Sequence, residues 1–197
     1  MSTDIDTAPI TDIRAYATAL RADLQDRDRT IADMADQIAA LEAALACRDI
    51  DELTGLHNLR WLREWWDSLT IPSATVGAVV FIDLDVLKSV NDTYGHRTGD
   101  RVLAHVAAVL LSSGVYAVRY GGDEFLVFTP AGWDPTMTMV GITDRIAARP
   151  VSTREGSIMA SVSYGICPVT DTDLHRMIGL ADAAMYAAKR RRNYRVR

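Results

Sequence analysis

Cysteine is nearly missing from this 197-residue sequence: Cys47 and Cys167 lie far apart, with no CxxC spacing and no cysteine/histidine pairing. A disulfide framework and a zinc site are thereby excluded, and both residues are read as free thiols of a reducing compartment. No apolar run approaches the roughly 18 residues that a membrane span needs, and charges interrupt the N-terminal segment every few residues. The expectation is a cytoplasmic protein with no membrane association. Positive charge is in deficit, with 21 Lys and Arg against 26 Asp and Glu and a formal net charge of −5. That balance argues against nucleic-acid binding through counterion release. The one basic stretch, KRRRNYRVR from Lys189 to Arg197, is short, has few interleaved aromatics and suits a solvated helix end, where cations meet the helix dipole favourably. The length allows one ordinary core plus an extended segment.

Glycine and proline are also absent between Ile10 and Ile50, so nothing there interrupts a helix. Ile10, Ile13, Ala17, Leu20, Leu24, Arg27, Ile31, Met34, Ile38, Leu41 and Leu45 follow alternating steps of three and four. This is a heptad seam with one charged interruption, at Arg27, and it predicts a self-associating coiled coil. A single helix packed on its own domain would carry the same residues, usually in a broader stripe. Residues 1–50 are assigned to this helix, with homodimerisation as the expected result, and 51–197 to one globular domain.

Within the domain, Asn58 is placed as the cap of a helix reaching about Leu69. VGAVVFIDLD (Val76–Asp85) is a nearly continuous apolar run, as in a strand covered on both faces. Helical periodicity from Gly99 to Ser112 is followed by VRYGGDEFLVF (Val118–Phe128), two strand-forming runs around Gly121-Gly122. That pair is expected to supply the positive φ angles of a tight hairpin. A helix over Pro135–Ala148, a strand over Ser157–Cys167 and a helix over Asp173–Lys189 complete the order. Strands and helices alternate except at the hairpin, which favours an α+β fold with helices covering a mainly antiparallel sheet.

Chemistry gathers at strand ends. Asp83 and Asp85 close the apolar strand, and only one of them is expected to face the hairpin tip. Asp83 is preferred, because the Leu84 carbonyl then also faces a cation. If the hairpin lies beside this strand, Asp83 meets Asp123, with Glu124 adjacent, and such hard oxygen donors suit Mg²⁺ or Mn²⁺. The alternative is a set of solvated surface carboxylates. In LKSVNDTYGHRTGD (Leu87–Asp100), Asn91 and Asp100 carry donors and acceptors that can read a guanine edge, and Lys88 can offset phosphate charge. The plainer reading is that Asn91, Asp92 and Gly95 only cap and turn the chain. His96 is taken as structural.

The motifs RYGGDEF, DELTGLHN, FIDLDVLKSVNDTYGHRTGD and ADAAMYAAK together closely resemble the GGDEF domain of diguanylate cyclases, over about Asp51–Arg197. The resemblance implies a fold like the palm of nucleotide cyclases and polymerases. It implies a nucleotidyltransferase that condenses two GTP into cyclic di-GMP, releasing two pyrophosphates, with one GTP per domain and two domains facing one another. It also implies a metal site of Asp83, the Leu84 carbonyl and Asp123, with two ions per half-site and Glu124 in the signature. Guanine contacts fall to Asn91 and Asp100, and phosphate contacts to Lys88, Lys189 and the amides around Val86 and Leu87. Arg119 matches an arginine that precedes the signature and is assigned as a charge stabiliser.

Three departures from the family pattern stand out. Ser112, Ser113, Gly114 and Val115 occupy the place of an Arg-x-x-Asp product-inhibition site, so no inhibition through that site is expected. Leu59 and Leu87 replace a common arginine and a common phenylalanine. The run after Lys189 lacks the usual glycine, which leaves Arg192 as a candidate second phosphate ligand. The competing function is a catalytically silent, GTP-binding GGDEF sensor or scaffold that acts through its coiled coil.

Overall fold

The structure, a computed structural model, describes residues 8–85, 87–153 and 156–195. Helix α1 (Ala8–Arg48) runs for 41 residues without a break: its one proline, Pro9, sits in the first turn, where no intrahelical amide bond is lost, and no glycine or proline follows within it. Along it Ile13, Leu20, Leu24, Ile31, Met34, Ile38 and Leu41 are all exposed, Ile31 and Leu41 at 65% each. At the seam's one charged position, Arg27 pairs with Asp23 a turn earlier, 3.1 Å apart. The chain divides into two units between Arg48 and Asp49.

The second unit begins with α2 (Leu59–Ser68) and the short α3 (Pro72–Thr75). Asn58 caps α2 as its sequence implies, its side chain accepting from the amides of Arg60 and Trp61. Strand β1 (Val76–Leu84) leads through α4 (Leu87–Tyr94) and α5 (His96–Leu111) to β2 (Tyr116–Arg119) and β3 (Glu124–Pro130). Then come α6 (Pro135–Ala147), the two-residue strands β4 (Val151–Ser152) and β5 (Ser157–Ile158), β6 (Val162–Pro168) and α7 (Leu174–Arg195). The main sheet has the order β2-β3-β1-β6, every pairing antiparallel.

The apolar run of β1 is explained by burial on both faces. Val80, Ile82 and Leu84 join Phe125 and Val127 under α4, α5 and α6. Val79 and Phe81 join Leu126 and Phe128 against Leu62 and Trp66 of α2 and Met177, Ile178, Ala181 and Met185 of α7. Residue parity therefore decides which helical layer a side chain meets.

Two expectations need correction. Gly121 and Gly122 do not take positive φ. A four-residue loop, Tyr120–Asp123, joins β2 to β3, and a loop of that length closes around ordinary turn geometry. The strand expected over Ser157–Cys167 is two strands: β5 pairs with β4, while β6 pairs with β1. The polar segment after β1 is a helix, α4, that buries only Leu87 and Val90.

Candidate active site at the end of the sheet

Antiparallel pairing sets β3 beside β1, with Asp83 directly opposite Glu124 and the Leu84 amide donating to the Asp123 carbonyl at 3.0 Å. The hairpin thus lies next to the first strand. By parity Asp83 follows Val79 and Phe81 onto the α7 face, and Glu124 follows Leu126 and Phe128 onto the same face. There Lys189 of α7 donates to Asp83 Oδ1. Burial holds the Glu124 carboxyl above its usual range, and the charges of Asp123, Asp83 and Asp182 push it further in that direction, against the pull of Lys189. Asp182, the second residue of the ADAAMYAAK motif, is a member of this acidic group that sequence reasoning missed.

Asp85 stays near this face but turns toward β6: its carboxylate accepts from Ser163, the residue directly opposite Asp83, at 2.6 Å and from Ser161 at 3.3 Å. The two aspartates therefore differ in their partners: Asp85 is held by the serines of the β6 end, whereas Asp83 stands opposite Glu124 of β3 and meets Lys189.

Gly165 of β6 brings α7 this close. A Cβ there would stand 2.1 Å from the Met185 amide nitrogen and 2.2 Å from the Ala181 carbonyl oxygen. Backbone therefore lies on backbone, and Asp182 and Lys189 reach the end of the sheet.

On the other side of the loop is a cavity of about 440 Å³, lined by Leu87, Lys88, Asn91, Asp92, His96, Asp100, Leu103, Arg119, Gly122 and Asp123. Helix α4 supplies Lys88 and Asn91 and begins at Leu87, while Val86 lies outside the described residues. Asn91 Oδ1 is buried without a hydrogen-bond partner. A Cβ at Gly99 would stand 1.9 Å from that oxygen, so this glycine makes the room that Asn91 uses. An unpartnered buried carbonyl oxygen calls for a donor. His96, expected to be structural, is exposed in this wall.

Arg119 is committed in three directions: to the Gly121 carbonyl (3.1 Å), the Gly122 carbonyl (2.9 Å) and Asp51 Oδ1 (3.0 Å). Ser112 and Ser113 are partnered by Arg145, whose guanidinium donates to their hydroxyls at 2.6 and 3.0 Å. The side chain of Arg192 is outside the described residues.

Among the described residues no three His, Cys, Asp or Glu side chains form a ready metal cluster. The donors that do fit a divalent cation are Asp83, Asp123 and the Leu84 carbonyl, which leaves the strand on the same side as its amide, toward Asp123. So small a set suits Mg²⁺, which keeps waters and takes further oxygens from a substrate phosphate. A model of the family described as diguanylate cyclase, GGDEF domain, matches residues 48–195. This chain belongs to the GGDEF family. Diguanylate cyclase DosC of Escherichia coli is 36% identical over 157 residues, which are 75% of this chain and 34% of DosC. Response regulator PleD of Caulobacter vibrioides is 35% identical over 164 residues, 76% of this chain and 36% of PleD. The chain therefore spans about a third of each of these relatives. The crystal structure of the coiled coil and GGDEF domain of DgcB from Caulobacter crescentus, in complex with c-di-GMP, superposes with a TM-score of 0.74 at 28% identity. That match covers 87% of this chain and 95% of the other, so it includes long-helix as well as GGDEF residues.

Proposed function

We propose that this GGDEF protein is an active diguanylate cyclase. The observation that carries the reading is the position of Asp123. It lines the cavity that holds Asn91 and Asp100, and its own carbonyl is bonded to the end of the strand that bears Asp83. A purine pocket and an acidic, cation-binding strand end thus share one residue.

In this reading, Asp100 accepts from the ring N–H and exocyclic amine of guanine, and the free Asn91 Oδ1 takes a second amine hydrogen. Lys88 and the first amides of α4 meet the phosphates, where the helix N-terminus favours negative charge. Lys189 exchanges Asp83 for a phosphate oxygen. Asp83, Asp123 and the Leu84 carbonyl would hold Mg²⁺ or Mn²⁺, with two ions per half-site. When bound, these ions make the 3′-hydroxyl a better nucleophile and offset charge on the α-phosphate and the departing pyrophosphate. The 3′-hydroxyl of each GTP gives up its proton to water, its oxygen bonds to the α-phosphorus of the other GTP as the bond to pyrophosphate breaks, and two such displacements close the ring. One domain holds one GTP, so a second copy is required. The exposed seam of α1 joins the two copies as a coiled coil, and no product inhibition acts through Ser112–Val115.

Incubation with GTP and Mg²⁺, followed by nucleotide separation, tests the proposal. Cyclic di-GMP and its linear intermediate are expected. Absence of both from a folded, dimeric protein overturns it, and tight GTP binding without turnover would identify a silent sensor instead.

A further inference from the structure

The segment that follows α1 is built onto the sheet. Asp51 donates its amide to the Leu56 carbonyl (2.8 Å), Gly55 to Asp51 (2.8 Å) and Asn58 to Asp49 (2.9 Å). Ile50 bridges to His57, His57 bridges in parallel to Val118 of β2, and the Arg119 amide donates to the His57 carbonyl at 2.9 Å. This small loop therefore lies along the outer edge of β2.

Its most connected side chain is Asp51. One oxygen, Oδ1, accepts from the Thr54 amide (2.9 Å), the Thr54 hydroxyl (2.6 Å) and Arg119 Nη1 (3.0 Å). The Asp51 and Arg119 side chains are only 27% and 15% exposed. The other two arms of the Arg119 fork hold the carbonyls of Gly121 and Gly122. Two adjacent glycines give a loop much freedom to lose, and a rigid planar guanidinium suits the task of holding two consecutive carbonyls. With three of its five N–H donors engaged, the fork keeps two that can face the cavity.

We propose that Asp51 is a positioning residue for the Tyr120–Asp123 loop. Through Arg119 it ties the segment directly after α1 to the carbonyls of two successive peptides, Gly121–Gly122 and Gly122–Asp123, and so sets the place of Asp123. The catalytic half of this proposal rests on the cyclase reading, whereas the loop-ordering half does not.

The test compares wild type with Asp51→Asn, Asp51→Glu, Thr54→Val, Arg119→Met and the Asp51→Asn/Arg119→Met double variant, all full-length and checked by circular dichroism. In Asp51→Asn, amide exchange over residues 120–124 is expected to rise roughly tenfold. The kcat should fall about tenfold or more with KM for GTP within about threefold, since misplacement weakens chemistry more than binding. Asp51→Glu should recover part of both, Thr54→Val should leave the loop amides as in wild type, and Asp51→Asn should add nothing to Arg119→Met. Unchanged loop exchange in Asp51→Asn overturns the proposal. So does full reproduction of its effect by Thr54→Val, which would assign the effect to the Asp51–Leu56 turn alone. If wild type makes no product, the cyclase reading fails, and the exchange comparison still decides the loop-ordering claim.

Discussion

Lys189, near the end of the last helix, donates a hydrogen bond to Asp83 at the end of the first long strand, 106 residues earlier. The contact joins two motifs that are far apart in sequence, and it depends on the close approach of β6 and α7 at Gly165.

Gly165→Ala should therefore act on both stability and site. Its methyl group would have to push α7 backbone away, at a cost of roughly 3 kcal/mol by analogy with overpacked cores. A lower Tm, with turnover reduced beyond what loss of folded protein explains, is the expected result. Wild-type Tm would show that α7 shifts freely and that this contact does not set its position.

Gly99→Ala should separate substrate binding from folding. The added Cβ collides with Asn91 Oδ1, while alanine in the first turns of α5 gains up to about 1 kcal/mol of helix propensity over glycine. Tm should change little, and GTP affinity should fall roughly tenfold, the scale of one lost hydrogen bond to a buried group. Equilibrium binding of a non-hydrolysable GTP analogue checks it.

Asp123→Asn should lower turnover on the order of a hundredfold or more with Tm close to wild type. The change removes charge at nearly constant volume. Parallel titration with Mn²⁺ should show weakened metal binding, whereas unaltered binding would remove Asp123 from the metal set.

Glu124→Gln should be pH-dependent. The folded-state pKa of Glu124 lies above the usual 4.5, first through burial and then through its acidic neighbours. Its ionised form is thus disfavoured in the folded protein, and stability falls as pH rises through the folded pKa. In chelator at neutral pH the glutamine variant should be more stable by a few tenths of a kcal/mol to about 1 kcal/mol. The gap should close below pH 4.5. Adding Mg²⁺ should stabilise wild type more than the variant.

Substitutions in the α1 seam should act on association. Leu24→Asp should yield monomers in sedimentation experiments and a turnover that rises steeply with protein concentration, as half-sites meet only by collision. Arg27→Leu, which replaces the seam's charged position and its pair with Asp23, should tighten association.

The sheet was legible because its physics is local: β1 reads as a buried strand from its unbroken apolar run, and the β2–β3 hairpin reads from two such runs around a short polar loop. The bounds of helix α4 were not legible, because six of its eight residues are left out of the core and so carry no apolar period. The placing of Asp85 was not legible, because its carboxylate is held by Ser163, 78 residues later, and nothing in the FIDLD run announces that partner. Asp182 was hidden for a similar reason. On α7 it is an exposed polar position like many others, and only the close contact at Gly165 turns it toward Glu124. The linkage of Arg119 to Asp51 pairs two recognisable motifs across 68 residues, which no spacing within either motif announces.

The Asp49–Asn58 loop also bears on how this protein can be cut. An outer strand with free amides and carbonyls invites pairing with other chains, and at β2 those groups are partly covered through the bridge to Val118 and the Arg119–His57 hydrogen bond. A fragment trimmed back to the Asn58 cap would keep every main-sheet strand, yet it would leave β2 bare, a sticky margin where neighbouring molecules could add on. Fragments for expression should start at or before Asp49.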